Sequence, residues 1–266
     1  MSAFRIVIIT GNSSRHLSLV EQLAKQFKVE LVVSEKKFSY QQAFKTTEGD
    51  SIIENHFNER DTYENNYFKP STEGMKIVQV DKGWMKGNPD LIQQILDLRV
   101  DAIVLFGSSI IGEPILSAYP RKVINLHLGL SPYYRGSGTN FWPIVELKPE
   151  CIGATIHLAT PIVDAGEILH QVRPTDLDET DTIHDIGNKT IREALSQLPE
   201  VVLRYLHNQL SPIPQSTLSK KEFRRMNLTE QDMKLAYRNM TNGLLREYLH
   251  NKQNRDSSYP IVEQLN

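Results

Sequence analysis

The chain carries one cysteine, Cys151, among its 266 residues. A single thiol closes no intrachain disulfide and supplies no cysteine-based zinc site. An excess of charge of either sign is also missing. Thirty Lys and Arg face thirty-two Asp and Glu, for a formal net charge of -2. Broad capture of nucleic acid uses a basic domain, and none is present. Long apolar runs are absent too. Ile6-Val7-Ile8-Ile9 is far shorter than a signal h-region, and no stretch approaches the roughly eighteen apolar residues of a membrane helix. Repeats and low-complexity tracts are lacking. These absences predict a cytoplasmic protein with no nucleic-acid and no membrane partner.

What is present is ordinary globular composition, 39% hydrophobic with a mean hydropathy of -0.38. The length suits one large domain with a small appendage. The β-branched run Val7 to Thr10 predicts a strand, and Gly11-Asn12-Ser13-Ser14 turns it into a helix over His16 to Phe27. Val29 to Ser34 returns to strand character, a β-α-β opening that predicts a parallel sheet covered by helices. Residues 38–74 are polar and aromatic and read as a helical or irregular surface insertion. Strands are predicted at Ile77 to Val80, Ala102 to Phe106, Val123 to Leu126, Gly153 to Leu158 and Glu167 to Arg173. Helices are predicted over Pro89 to Leu98 (capped by Asn88), Gly112 to Ala118 and Thr182 to about Leu206. Ser211-Pro212-Ile213-Pro214 is a break, after which one amphipathic segment runs from about Glu230 to Leu249. The expected fold is α/β: a Rossmann-like, doubly wound, mostly parallel sheet with helices on both faces over 1–210. A short, mainly helical C-terminal extension over 211–266 follows.

Chemistry concentrates in Asn125-Leu126-His127 and the loop behind it, Gly129 to Gly136. Strand alternation puts Asn125 and His127 on one side, near the C-terminal end of a parallel strand where open α/β sheets bind ligands. An amide and an imidazole aimed at one point make a sensible oxyanion site. A lone strand histidine is also a common structural residue. Asp164 lies in the loop Thr160 to Gly166, where it is either a turn aspartate or a carboxylate beside His127, favouring the imidazolium and relaying a proton. The helix opening at Ser13 and Arg15 has free N–H groups that attract anions, or it is simply capped by Ser13 or Ser14. No Gly-x-Gly-x-x-Gly follows a predicted strand, which excludes an NAD-binding oxidoreductase.

Two ordered blocks carry a resemblance. Ile124-Asn125-Leu126-His127 with Gly129-Leu130-Ser131-Pro132-Tyr133-Tyr134-Arg135-Gly136 is the first. Gly153-Ala154-Thr155-Ile156-His157, followed by Asp164-Ala165-Gly166-Glu167-Ile168-Leu169 and Gln171, is the second. Together they resemble the signature of the folate-dependent formyltransferases. That family includes glycinamide ribonucleotide transformylase, methionyl-tRNA formyltransferase and the nucleotide-sugar N-formyltransferases.

The resemblance implies that 1–210 is the catalytic domain and that Asn125, His127 and Asp164 are its catalytic trio. It also implies 10-formyltetrahydrofolate as formyl donor, a small-molecule primary amine as acceptor, and no metal. The folate pterin is expected between Phe106, Gly107, Ser108, Ile110 and Ile111 on one side and Thr160 to Asp164, including Val163, on the other. A hydrogen-bonding, structural role is expected for His157. Ser13, Arg15, Tyr133 and Arg135 are the candidates for holding the acceptor. The first two stand in a loop that departs from the transformylase pattern Gly-x-Gly-Ser-Asn.

Residues after 215 show no strand series of the kind that builds the tRNA-holding barrel. The first strand begins at about residue 5, where a formyltetrahydrofolate hydrolase would carry a regulatory domain. By analogy with the compact, variable-tailed members of that family, the preferred acceptor is a nucleotide-linked amino sugar. Glycinamide ribonucleotide, another metabolite amine, or a non-catalytic folate- or nucleotide-binding protein remain as alternatives. The tail is a candidate for forming a homodimer.

Overall fold

Each β-rich run becomes one strand of a seven-stranded sheet in the computed structural model, which describes residues 3–36, 52–215, 222–224 and 227–265. Strands β1 (Arg5–Gly11), β2 (Lys28–Glu35), β3 (Ile77–Val80), β4 (Ala102–Phe106) and β5 (Val123–His127) all run parallel, in the order β3-β2-β1-β4-β5. Strand β7 (Ala154–Leu158) joins β5 antiparallel, and β8 (Ile168–Val172) pairs antiparallel with β7. The short β6 (Arg135–Gly136) instead pairs with β9 (Glu222–Phe223) in a separate two-stranded ribbon.

Helices cover both faces, because every central strand is apolar on both sides. On one face α1 (Ser14–Ala24) and α6 (Ile183–Leu206) bury Leu19, Leu23, Ile191 and Leu198 against Ile6, Ile8, Val104 and Leu126. On the other, α3 (Pro89–Asp97) and α4 (Glu113–Ala118) bury Leu91, Ile95 and Ile115 against Val7, Ile9, Ile103 and Leu105. The expected cap on α3 is present: Asn88 accepts from the Leu91 N–H. At α1 the expected Ser13 cap is replaced, since the Ser13 hydroxyl meets His16 Nδ1 at 2.6 Å.

The insertion contributes α2 (Ile52–Tyr67), which buries Ile53, Glu54, His56 and Glu64. The rest of its predicted surface character, over 37–51, lies outside the described residues. The amphipathic segment expected over 230–249 is two helices, α7 (Glu230–Thr241) and α8 (Leu244–His250). Gly243, at φ +87°, turns the chain between them in a conformation costly to other residues. Ala236, Leu244, Leu245 and Tyr248 pack on Ile144 of the one-turn α5 (Trp142–Val145) and on Ile152, Ile183 and Ile186, so the extension shares a core with the sheet-bearing part. Its last helix, α9 (Lys252–Ser257), leads to a tail that covers the β8 edge. There Val262 exchanges hydrogen bonds with Gln171, and Gln264 bonds His170 and Leu169. A covered edge cannot template strand pairing with another chain.

Candidate active site

Cross-strand partners share a sheet face. Leu105 pairs with Asn125, Asn125 with His157, and His127 with Thr155. All therefore point to the face that α3 and α4 cover farther along. Over β5 and β7 that cover is replaced by two loops, 129–136 and 159–167, whose backbone and short side chains admit polar partners. The β7–β8 loop leaves beside Val123, whose carbonyl accepts from the Ala159 N–H, and folds back to bring Asp164 over the strand. Asp164 itself sits at φ +49°, a strained region for a non-glycine residue.

The structure brings Asn125, His127 and Asp164 together, and His157 with them. Asn125 Nδ2 donates to Asp164 Oδ1 at 3.3 Å and to His157 Nε2 at 3.0 Å. His157 can accept there because its Nδ1–H donates to the Leu158 carbonyl at 2.9 Å. His157 thus fixes the amide of Asn125, the structural role expected of it. His127 Nδ1 lies 3.2 Å from Asp164 Oδ2, and Nε2 lies 2.9 Å from the Tyr134 carbonyl. Both neighbours only accept, so only the imidazolium satisfies both sides. Burial opposes this and wins: it holds the His127 imidazole below its ordinary value, against the pull of Asp164 and the Tyr134 carbonyl. Burial also raises the Asp164 carboxyl. His127, His157 and the Gly136 N–H, which donates to Oδ2 at 2.9 Å, outweigh that and hold it below the usual carboxylate range. Asp164 is therefore an ionised carboxylate in a nearly dry place, where it orients the imidazole and partly offsets the cost of charging it.

The loop after His127 is tied down from behind. A Cβ on Gly129 would stand 2.5 Å from His127 Nε2, so only glycine lets the backbone pass. Thr155 Oγ1 donates to the Gly129 carbonyl and accepts from the Ser131 N–H, while Gln171 Nε2 donates to the Ser131 carbonyl. Gln215 does the same for the other loop: its Nε2 donates to the carbonyls of Asp164 and Gly166 at 3.0 and 2.8 Å. Sequence reasoning missed Gln215, and no local pattern marks it, because it acts across 51 residues of chain.

The two loops expected around a pterin present the exposed apolar side chains Ile110 (71%) and Ile162 (60%). Ile111 points the other way, into the core beside Ile115. Phe106 is buried, and Ser108 is half-buried. The loop is held by Glu35, a buried carboxylate at the end of β2 that accepts from both the N–H and the hydroxyl of Ser109. Thr160 donates to the Ile162 carbonyl, and the Val163 carbonyl accepts from Arg135 Nη1 at 3.3 Å. Of the acceptor candidates, Arg15 is turned onto Glu64 of α2 in an ion pair. Ser13 is occupied by His16, and the Tyr133 hydroxyl donates to the Pro260 carbonyl at 3.0 Å. Arg135 is buried at the edge of the trio. Among the described residues, no three His, Cys, Asp or Glu side chains are grouped to hold a metal ion, and no helix is long and apolar enough to cross a membrane.

The chain is similar in sequence to curated proteins and in fold to solved structures. It is 30% identical over 135 residues to the methionyl-tRNA formyltransferase of Caldanaerobacter subterraneus subsp. tengcongensis, covering 48% of this chain and 43% of that one. The chain thus spans less than half the length of such curated relatives. Glycinamide ribonucleotide transformylase 1 from Symbiobacterium toebii superposes with a TM-score of 0.55 at 19% identity, over 83% of this chain and 92% of that one. WlaRD, a sugar 3N-formyl transferase solved in the presence of dTDP and 5-N-formyl-THF, gives 0.53 at 16%, over 86% and 72%. These two structures share the fold. Across residues 4–202, well over half of its length, the sequence matches the family described as Formyl transferase, and the protein belongs to that family.

Proposed function

We propose that this protein transfers a formyl group from 10-formyltetrahydrofolate to a primary amine of a small molecule, a nucleotide-linked amino sugar. The carrying observation is the buried network in which one ionised carboxylate, Asp164, meets Asn125, His127 and the Gly136 N–H. The amine nitrogen attacks the formyl carbon directly, a C–N bond forms, and the bond to the folate nitrogen breaks. Asn125 and His127 stabilise the oxyanion that develops on the formyl oxygen, worth roughly 3–4 kcal/mol for one good donor. In this structure these donors meet His157, Asp164 and the Tyr134 carbonyl, so a donor acts on the oxyanion only by exchanging its protein acceptor for the formyl oxygen. Asp164 orients His127 and takes part in moving the proton from the attacking nitrogen to the leaving one.

The folate fits the residues present. Phe106, Gly107, Ser108, Ile110 and Ile111 on one loop and Thr160 and Val163 on the other would hold the pterin through backbone groups, with Ile110 and Ile162 as apolar cover. The acceptor assignment draws on the loop after β1. Its cation, Arg15, is spent on Glu64 of the inserted helix, which disfavours capture of a ribonucleotide phosphate there. Arg135, at the edge of the trio, remains for the sugar nucleotide, while Tyr133 would have to give up the Pro260 carbonyl to take part. In this reading residues 1–210 form the catalytic domain and 211–266 an extension of it.

Incubation with 10-formyltetrahydrofolate and a panel of 3- and 4-amino sugar nucleotides is expected to release tetrahydrofolate with one acceptor. Turnover with glycinamide ribonucleotide alone would overturn the sugar assignment. Unchanged transfer by His127→Ala would remove the trio from the chemistry and leave a binding protein.

A further inference from the structure

Two of the hydrogen bonds that shape the trio end on the loop 134–136: His127 Nε2 on the Tyr134 carbonyl, and Asp164 Oδ2 on the Gly136 N–H. Tyr134 and Gly136, the two residues that supply those groups, are gripped by one residue of the C-terminal extension. The Phe223 ring stacks on Tyr134, with centroids 5.2 Å apart and planes 16° from parallel, and on Trp142 from its other neighbour at 5.2 Å and 29°. Its backbone pairs with Gly136 in the β6–β9 ribbon, and its carbonyl accepts from the Ser137 N–H at 2.7 Å. Gly136 sits at φ +100°, and a Cβ there would stand 2.1 Å from that carbonyl. The approach is therefore too close for any other residue. Glu146 and Trp142 complete the clamp by taking the Tyr134 hydroxyl and the Ser137 carbonyl.

We infer that Phe223 is a positioning residue: the extension reaches back to the reacting centre and sets the two backbone groups that orient His127 and Asp164. It acts through Tyr134 and Gly136 and touches no substrate. This gives the extension a part in catalysis that its distance in sequence conceals. The inference rests on the trio being the reacting centre, and its test is chosen to work without a known acceptor.

The test reads the His127 ring by ¹⁵N–¹H correlation in histidine-labelled protein, with the signal assigned by its loss in His127→Gln. In Phe223→Ala the ring N–H signal is expected to shift and to exchange faster with water. Leu245→Ala is the control. It hollows the core shared by the extension and leaves the ribbon alone, and it is expected to keep the wild-type signal. A wild-type His127 signal in folded Phe223→Ala overturns the inference, and so does the same disturbance in Leu245→Ala, which would make the effect general loosening. If Phe223→Ala does not fold, Phe223→Leu, which fills without stacking, is read by the same criteria. Once an acceptor is turned over, Phe223→Ala is expected to lower kcat about tenfold or more with the donor KM within about twofold, as a misplaced catalytic group does. Failure to find an acceptor leaves the ring signals to decide, so the two proposals fail separately.

Discussion

Two buried histidine clusters sit in this molecule, and they differ in one group. His127 and His157 share a buried carboxylate, Asp164, whose side chain is 10% exposed. His56 of α2 and His184 of α6 stack with ring centroids 4.7 Å apart, among Phe57, Tyr63, Phe141 and Tyr237. Their nearest carboxylate is Glu59, 59% exposed and 3.5 Å from His184 Nε2. Burial alone disfavours the charged imidazole. In the second cluster nothing strong opposes it: desolvation, then His184 and Arg60, push His56 down to about 3. His184 is lowered by burial against a partial pull from Glu59. These rings are neutral packing pieces that dock the inserted helix. In the first cluster a carboxylate desolvated with the ring gives the imidazole a charged partner, and the site gains chemistry. The two pairs differ in the burial of the carboxylate partner, and the proposed role of His127 rests on that difference.

The largest expected effect follows from removing that partner's charge. Asp164→Asn keeps the shape and the Gly136 hydrogen bond while deleting the anion. The expected loss is about a hundredfold or more in kcat/KM, within the usual range for a lost proton-transfer or oxyanion contribution. His56→Phe, the matching change in the other cluster, is expected to leave kcat/KM within about twofold. Steady-state rates with the identified acceptor check both. Comparable losses in the two variants would erase the distinction.

This contrast was only half visible in the sequence. Asn125 and His127 were legible because strand alternation is local and strict, and Val123 to Leu126 could hardly be anything else. The strands at Ile77–Val80 and Ala102–Phe106 came out as read, for the same reason. The approach of Asp164 depends on a loop that folds back through a left-handed residue, and on Gly136, Gln215 and His157 from three other segments. No window of sequence contains that, and the family blocks had to supply it. Helix α2 stayed ambiguous because most of what it buries is polar: Glu54, His56 and Glu64 with Ile53. Its partners are Arg15 and the ring cluster, so no apolar stripe marks it. Phe223 lies in a charged stretch and reveals itself only through the aromatic rings it meets.

Acid reaches both clusters through their histidines, because burial holds His56, His184 and His127 below the ordinary value. His56 has a folded value of about 3 against 6.5 unfolded, so its neutral burial stabilises fully above pH 6.5. That contribution is lost as pH falls from 6.5 toward 3, because the unfolded chain takes up the proton first. The slope is about 1.4 kcal/mol per pH unit for one such group. The titratable and charged groups facing His56 are His184 and Arg60, and those facing His184 are Glu59, Arg60 and Asp185, with the phenols of Tyr63 and Tyr237 beside the pair. Asp164 has a depressed carboxyl, so its contribution persists to lower pH and goes only below the ordinary value of 3.8. Denaturant melts from pH 7 to 4.5 should therefore show a decline that His56→Phe makes shallower by one group's share, His184, His127 and His170 supplying the rest. A wild-type curve that is level over this range would refute the neutral-pair account.

The smallest effect tests whether the clusters are independent. Helix α6, which carries His184 in its first turn, begins with a capping box: Thr182 Oγ1 accepts from the Asp185 N–H at 3.1 Å, and Asp185 Oδ2 accepts from the Thr182 N–H at 2.9 Å. The pair is exposed, so Thr182→Ala removes one cap and creates no cavity. The expected cost is about 1 kcal/mol of stability, read as a lower denaturation midpoint at unchanged slope. Since α6 runs under β5 and β7 as well as beside α2, fraying at Thr182 reaches His184 first and the trio only through the packed helix interior. Sites joined by such a core but sharing no partner contribute additively. Thr182→Ala combined with His56→Phe should then deviate from additivity, because the two changes meet at His184, while Thr182→Ala combined with Asp164→Asn should sum within about 0.5 kcal/mol. Coupling in the second pair would mean that the docking of the inserted helix is transmitted to the reacting centre.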